Sequence, residues 1–422
     1  MKIISLYKQI RNSSVVINFF YTSVYQVSNL LIPVITLPYL TKVIGIEKVG
    51  IILLLQSIMM IFSMIVDYGF AYTAVRELSI SRHDVYKRNI VFNSVLQTKI
   101  FLCFCCFVTL VLLIFIYPKL TSNYVLSITS FVIVLGSTFN PLWFFQGLEK
   151  VKIISNITLL TRLFFTSLIF FFVNDVEDAM FVNIFIGFGT LTAGIISLFI
   201  LNRKLEVVFD FKFSPVTIRA SLKNGYHLFI SVFLIGVFSN INVICLGLFV
   251  DEKTIGLFSL SEKVSNIIRQ LAGVYSQVIY PQLCLIVSNE GRLQAIRYLR
   301  KSFIPFSLIV VTLCIFIFFY SDLIAHFLSN KYEEKLSIII RYMIFLPLIN
   351  VLNIPFYRIL LAYQENISIL KVLFISTVLC IFLNMVFAFI LKEKGTIIAI
   401  MLTELSIVIG FIYFTKKKTK IK

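Results

Sequence analysis

The sequence predicts an all-α polytopic membrane protein, with about twelve transmembrane helices in two six-helix bundles around a central cationic cavity. Three observations predict it. Of 422 residues, 59% are hydrophobic and 14% charged, and the mean hydropathy is +0.96. A soluble domain averages roughly half apolar and a quarter charged, so this chain has more apolar surface than a water-soluble core can hide. Apolar runs of about 20 residues, the length that crosses a bilayer, recur along the whole chain. Finally, the 38 Lys and Arg behind a net charge of +18 lie mostly between those runs. That is the pattern of positive-inside topology rather than of a nucleic-acid-binding patch.

Taken in order, the runs cover about 14–40, 50–75, 90–117, 124–147, 153–173, 179–201, 225–249, 256–287, 302–320, 338–361, 369–391 and 396–415. The opening "MKIISLYKQIRNSS" precedes a run too long for a signal-peptide core, so an uncleaved first span is expected. With the N-terminus inside, 24 Lys and Arg fall in inside segments and 8 in outside loops, which puts both termini in the cytoplasm. Spans one and two meet at "LPYLTKVIGIEKVGI" (37–51), where Thr41 to Val49 is expected to form a short outside loop. Pro33 and Pro38 precede it. Pro33 shares a face with the polar residues of span one, which makes the two prolines candidate hinges, a static bend being the alternative. The elbow recurs: Glu47-Lys48 matches Glu252-Lys253, Gly50 falls opposite Gly256, and Gln56 opposite Glu262. A second pair, 146–157 and 361–372, has a similar offset. Two matches at nearly half the chain length indicate duplication, and an even number of spans per unit makes the repeats parallel. The longest inside connection, roughly 202–224, separates an N-terminal bundle, 1–207, from a C-terminal bundle, 208–422.

Polar stripes mark the interior. Span one carries Asn18, Thr22, Gln26, Asn29 and Pro33 at helical spacing, with Asn18, Gln26 and Asn29 read as cavity lining. Spans two, five, eight and eleven repeat the pattern. For any one Ser or Thr, helix–helix hydrogen bonding is the better account, whereas stripes on five helices point to a shared polar interior. Six cations lie within spans: Lys99, Arg162, Lys263, Arg269, Arg341 and Arg358. Three anions accompany them, Asp67, Glu262 and Glu404. A charge facing lipid at mid-bilayer costs about 2.5–3.5 kcal/mol, so these groups are expected to face water or each other. Arg341 and Arg358 lie near span ends, where snorkelling suffices, and Asp67 is placed to pair with Arg76. Glu262 and Arg269 share a face but stand about 10 Å apart along the axis, too far to pair. The interior is net cationic, which suits an anionic, polar solute. Arg162, Arg269, Lys99 and Lys263 are the candidate binding cations; Asp67, Glu262 and Glu404 are the candidate coupling groups or charge partners. No nucleotide-binding, serine-hydrolase or zinc-protease motif occurs. The three His (His83, His227, His326) lie near span ends or in loops, and the seven Cys lack metal or redox spacing. No enzyme activity, cofactor or metal is expected.

Three segments carry a resemblance. "LPYLTKVIGIEKVGI", "VDYGFAYTAVREL" (66–78) and "PLWFFQGLEKVKIISNI" (141–157) resemble the Wzx-type O-antigen flippases, polysaccharide-biosynthesis transporters of the MOP superfamily. The matching positions are Pro38, Tyr39, Leu40, Lys42, Gly45, Glu47 and Gly50; Asp67, Gly69, Phe70, Arg76 and Glu77; and Trp143, Gln146, Gly147 and Glu149. The resemblance implies a MATE-like V of two bundles in a bacterial inner membrane. It also implies a substrate, an oligosaccharide repeat unit on undecaprenyl diphosphate, moved from the cytoplasmic to the periplasmic leaflet by alternating access. Membrane lipids, an O-antigen polymerase and a chain-length regulator would be its partners. Cation-coupled drug exporters of the superfamily often carry an acid in span one; here there is none, which weighs against the alternative of a small-molecule antiporter. A membrane glycosyltransferase or polysaccharide polymerase is a further alternative, but the longest outside loop, about 321–337, holds no comparable catalytic site.

Overall fold

The computed structural model describes residues 32–210, 213–289 and 291–418. Among them the chain is helical with no strand. Among the described residues, nine helices are long and apolar enough to cross a membrane, or ten if one bent pair counts as a single span. In order, α1 is Ile32–Val43, α2 Gly45–Asp67, α3 Phe70–Ile80, α4 Val85–Ile116, and α5 the span Tyr124–Gly147 built from three short stretches. α6 is Val151–Phe172, α7 Ala179–Leu205, α8 Pro215–Phe249, α9 Glu252–Asn289 and α10 Arg292–Phe319. α11 is Ser321–Ser329, α12 Glu334–Met343, α13 Phe345–Ala362 and α14 Asn366–Lys418.

The expected second to twelfth spans all fall on these helices. α14 carries two of them, joined at Lys392, whose φ of 54° breaks the helix. α9 carries the eighth, bent by 40° between Glu252–Tyr280 and Gln282–Asn289. The break falls at Pro281, which has no N–H to continue the ladder. Of the first span only α1 is described, and Pro33 and Pro38 both lie in it.

The expected loop from Thr41 to Val49 is not a loop. α1 runs to Val43 and α2 starts at Gly45, so the break is Ile44 and a Gly45 with φ of 80°. Glu47 falls in the first turn of α2, where a carboxylate is favoured by the exposed backbone N–H groups. The charges that suggested a loop decorate the end of a continuing helix.

The chain divides into two compact units, Met1–Gly45 with Leu55–Gly236, and Ile46–Leu54 with Val237–Lys422. The first has an aromatic core: Phe92 stacks on Trp143 at 6.0 Å and meets Phe144 edge-on at 5.5 Å. Two of the segments singled out in the sequence pack together there. Gly147 lies so close to α3 that a Cβ would stand 2.7 Å from that of Leu78, the Ser79 hydroxyl donates to the Gly147 carbonyl at 3.3 Å, and Arg82 pairs with Glu149 at 3.3 Å. After α7, residues 206–210 lie along α4. Asn89 donates to the Glu206 carbonyl and accepts from the Val208 N–H; Asn93 donates to the Val208 carbonyl and accepts from the Asp210 N–H. The second unit has its own clusters, one around Ile268, Leu283, Leu299 and Ile354, the other around Leu360, Val372 and Phe411.

Candidate functional site

In the first unit, the charge centre is built where α2 ends. Tyr68 and Gly69 both take positive φ, 42° and 74°, which stops the helix and leaves Asp67 at its C-terminus. Lys99 on α4 reaches it: its ammonium lies 2.9 Å from Asp67 Oδ1 and donates to the Ser137 carbonyl at 2.7 Å. Lys99 is 2% exposed and Asp67 55%, so a buried cation is held by a wet carboxylate. Asp67 was expected to pair with Arg76; Lys99, 32 residues on, takes that place because α4 packs its face against the end of α2.

Arg162 lies on α6 and is half-buried. Its stem lies along α7, where a Cβ on Gly189 would stand 3.5 Å from Arg162 Cγ. Nearby, a buried polar chain crosses three helices. Gln56 donates to Asn183 at 2.9 Å, and Asn183 to Ser130 at 2.8 Å. Only Gln56 of these stood out in the sequence, since nothing in the chain links Ser130 and Asn183 to it.

In the second unit, Glu404 on α14 is 1% exposed and meets Arg269 of α9 at 3.9 Å. Asn350 of α13 donates to both carboxylate oxygens at 3.3 Å. Arg269 is not fully used: its Nε is buried with no hydrogen-bond partner in the structure. Glu262 is buried at 8% two turns earlier on α9, beside half-buried Lys263. As expected from their spacing, Glu262 and Arg269 form no ion pair. Asn384, 0% exposed, donates to Asn242 at 3.0 Å and closes a second buried polar contact, between α14 and α8.

The two cations expected to snorkel are both engaged. The Arg341 guanidinium binds Ser321 and Asp322 at 2.6 and 2.7 Å. Arg358 donates to Ser276 at 2.6 Å and lies over the rings of Tyr280 and Tyr357. Asn18, Gln26 and Asn29 lie outside the described residues. Among the described residues, no group of three or more His, Cys, Asp or Glu could hold a metal.

The comparisons with known proteins agree with this architecture. The model of a family described as polysaccharide biosynthesis protein matches residues 15–287. A putative O-antigen transporter of Escherichia coli (strain K12) is 29% identical over 92% of this chain and 93% of its own length. A putative O-antigen transporter of Shigella dysenteriae is 28% identical over 64% of this chain and 69% of its own. Among solved structures, an inward-facing multidrug resistance MATE family transporter of the MOP superfamily superposes with a TM-score of 0.66 at 12% identity, covering 94% of both chains. The lipid II flippase MurJ, in an inward closed conformation, gives 0.65 at 14% identity over 95% of this chain and 87% of that one. At those identities the two structures show the fold alone.

Proposed function

The chain belongs to the polysaccharide biosynthesis protein family, and from that premise we propose that it is a flippase for lipid-linked O-antigen or related polysaccharide repeat units. The substrate is an oligosaccharide on undecaprenyl diphosphate. It crosses from the cytoplasmic to the periplasmic leaflet of a bacterial inner membrane, with both chain termini in the cytoplasm. The two halves, 1–207 and 208–422, rock to expose the substrate site to one side and then the other, with Pro33 and Pro38 as hinge residues.

The observation that carries the reading is Arg269. A half-buried guanidinium in an apolar, multi-pass helical protein has a carboxylate contact at 3.9 Å, longer than a hydrogen bond, and a buried Nε with no hydrogen-bond partner. A cation with spare donor capacity recognises an anion, and guanidinium suits phosphate oxygens because it offers paired donors. Arg162 and Lys263 are the further cations for the diphosphate. Lys99, whose ammonium is already held by Asp67 and Ser137, contributes to the unit's frame. Glu404, tied to Arg269, and Glu262 are the groups through which ion coupling would act, since displacing the cation from its carboxylate changes the carboxylate's proton affinity. The relatives named as putative O-antigen transporters support the substrate class.

The test is surface polysaccharide in a strain lacking the native transporter. Arg162→Ala, and Arg269→Met combined with Glu404→Gln so that no buried carboxylate is stranded, are each expected to abolish it at normal protein levels, with no change in drug resistance. Normal polysaccharide from both variants would overturn the cationic site; altered drug efflux instead would indicate a small-molecule antiporter on the same fold.

A further inference from the structure

Arg358 has no part in the site described above, yet it is the cation most fully prepared for an anion. It lies near the end of α13, one turn before Ala362. Its Nε donates to Ser276 at 2.6 Å. Its guanidinium carbon lies 5.1 Å from the Tyr280 ring centroid and 5.3 Å from that of Tyr357, within cation–π range of both. Two helices thus hold the fork: Ser276 and Tyr280 from α9, Tyr357 from α13. Among the described residues Arg358 forms no ion pair and its terminal nitrogens have no hydrogen bond. The aromatic rings orient a guanidinium without neutralising it, leaving two donor-bearing nitrogens for two oxygens of one anion.

The surroundings are basic. This end of the second unit carries Lys416, Lys417 and Lys418 at the close of α14, and Arg297, Arg300 and Lys301 near the start of α10. The nearby Glu365 is already taken, by Lys418 at 3.7 Å and by the Ser368 hydroxyl at 2.9 Å. Positive-inside counting puts this end at the cytoplasmic surface, at the depth of lipid phosphate groups.

We propose that Arg358, with Ser276, Tyr280 and Tyr357, is a binding site for the phosphate group of a lipid entering from the cytoplasmic leaflet. The chemistry admits two sources, a prenyl diphosphate and an ordinary anionic phospholipid. The first rests on the flippase reading; the second does not.

The test uses the purified full-length chain in phosphatidylcholine nanodiscs, with farnesyl diphosphate as the probe and binding read by native mass spectrometry. Arg358→Met is expected to weaken binding about tenfold, the loss of one charge-assisted hydrogen bond or slightly more. Its melting temperature should stay within about 3 °C of the parent. If that variant does not fold, Arg358→Lys serves: it keeps the charge, loses the stacked fork, and is expected to weaken binding about threefold or more. A parallel series adds phosphatidylglycerol to the nanodiscs. Competition with the probe identifies bulk lipid as the occupant; no competition identifies the prenyl diphosphate. If the parent ignores farnesyl diphosphate but retains phosphatidylglycerol through Arg358, the prenyl diphosphate assignment fails and this site stands as a phospholipid site, leaving the flippase reading to the tests at Arg162 and Arg269. Folded variants that bind both lipids as the parent does would overturn it.

Discussion

Gly50 and Gly256 face each other where α2 and α9 begin, and each makes room for the other helix's backbone. A Cβ on Gly50 would collide with the Glu252 carbonyl oxygen, and one on Gly256 with the Ile46 carbonyl oxygen. The relationship is reciprocal, since Glu252 precedes Gly256 by as many residues as Ile46 precedes Gly50. The two similar elbows pack on each other, and no side chain larger than hydrogen fits at the crossing.

Alanine at either position should therefore force two backbones apart. Overpacking of this kind costs about 1–3 kcal/mol. Gly50→Ala with Gly256→Ala should cost less than the sum of the two, because the first shift opens space for the second. Thermal unfolding of the detergent-solubilised protein reads both effects. Single variants melting with the parent would show that the crossing is looser than its geometry.

The crossing also shows what was legible in sequence. The likeness of the two elbows was visible because Glu-Lys and glycine recur in the same order, one inserted residue apart, and eleven spans were visible because bilayer length is written in hydropathy. Thr41–Val49 misled because Lys42, Glu47 and Lys48 look like a loop, whereas charge at a membrane surface is equally compatible with a helix end; the break needed only Gly45. Pairings between distant spans left no mark. Nothing near Arg269 in the chain points to Glu404, 135 residues on, or near Lys99 to Ser137. Periodicity says which residues share a face but not which face it meets. Arg358 was passed over for the same reason: its value lies in Tyr280 and Ser276, on another helix.

The Lys99–Asp67 pair should respond asymmetrically to its two deletions. Asp67→Ala strands an ammonium that is 2% exposed, and removing one partner of a buried pair costs about 3–5 kcal/mol. Lys99→Met instead fills the same space with an apolar chain and leaves a carboxylate already in contact with water, so its cost should be within about 1 kcal/mol. Melting temperatures rank the variants, and Lys99→Met should still support surface polysaccharide. Loss of polysaccharide from a stable Lys99→Met protein would put Lys99 in contact with substrate.

Residues 206–210 are clipped to α4 through Asn89, Asn93 and Gln97, three amides on one helical face. Asn93→Ala removes two of these hydrogen bonds at an exposed site, each worth about 1 kcal/mol. The Asp210 amide, which donates to Asn93, should then exchange with deuterium about tenfold faster or more, while the Val208 amide, which donates to Asn89, changes less and the helices melt as before. Unchanged exchange at Asp210 would show that the strap is held by something other than Asn93.

At the opposite end of the second unit, Asp251 precedes α9 and accepts from the Thr254 hydroxyl at 2.7 Å. Burial pulls its pKa up, but the Thr254 hydroxyl, the backbone N–H groups of Asp251 and Thr254 and the charge of Lys335 together more than offset that, and the net pKa lies below the usual aspartate value. A depressed folded-state pKa stabilises above the unfolded value and is lost as pH falls through the folded one. The first turn of α9 should thus be fully protected above the ordinary carboxylate range and loosen only in stronger acid. Asp251→Asn should remove this pH dependence. Amide exchange at Thr254 and Ile255, followed from neutral pH downward, tests it; an identical profile in the variant would discard the assignment.

The Arg269–Glu404 pair separates a role in folding from a role in transport. Arg269→Met leaves a carboxylate 1% exposed with only Asn350 to hold it, and should destabilise by about 3–5 kcal/mol. Glu404→Gln keeps the shape and one oxygen for Asn350, and Arg269, 17% exposed, can turn towards water, so its cost should be small. Combining the two removes both charges at once, and the double variant should recover most of the stability lost by Arg269→Met. Transport should not recover with it. If Arg269 receives the substrate's anionic group, no change at Glu404 can replace the missing guanidinium, and surface polysaccharide should stay absent although the protein is stable and abundant. Polysaccharide restored in the double variant would mean that Arg269 serves only to neutralise Glu404, and the anion site would have to be sought at Arg162 and Lys263.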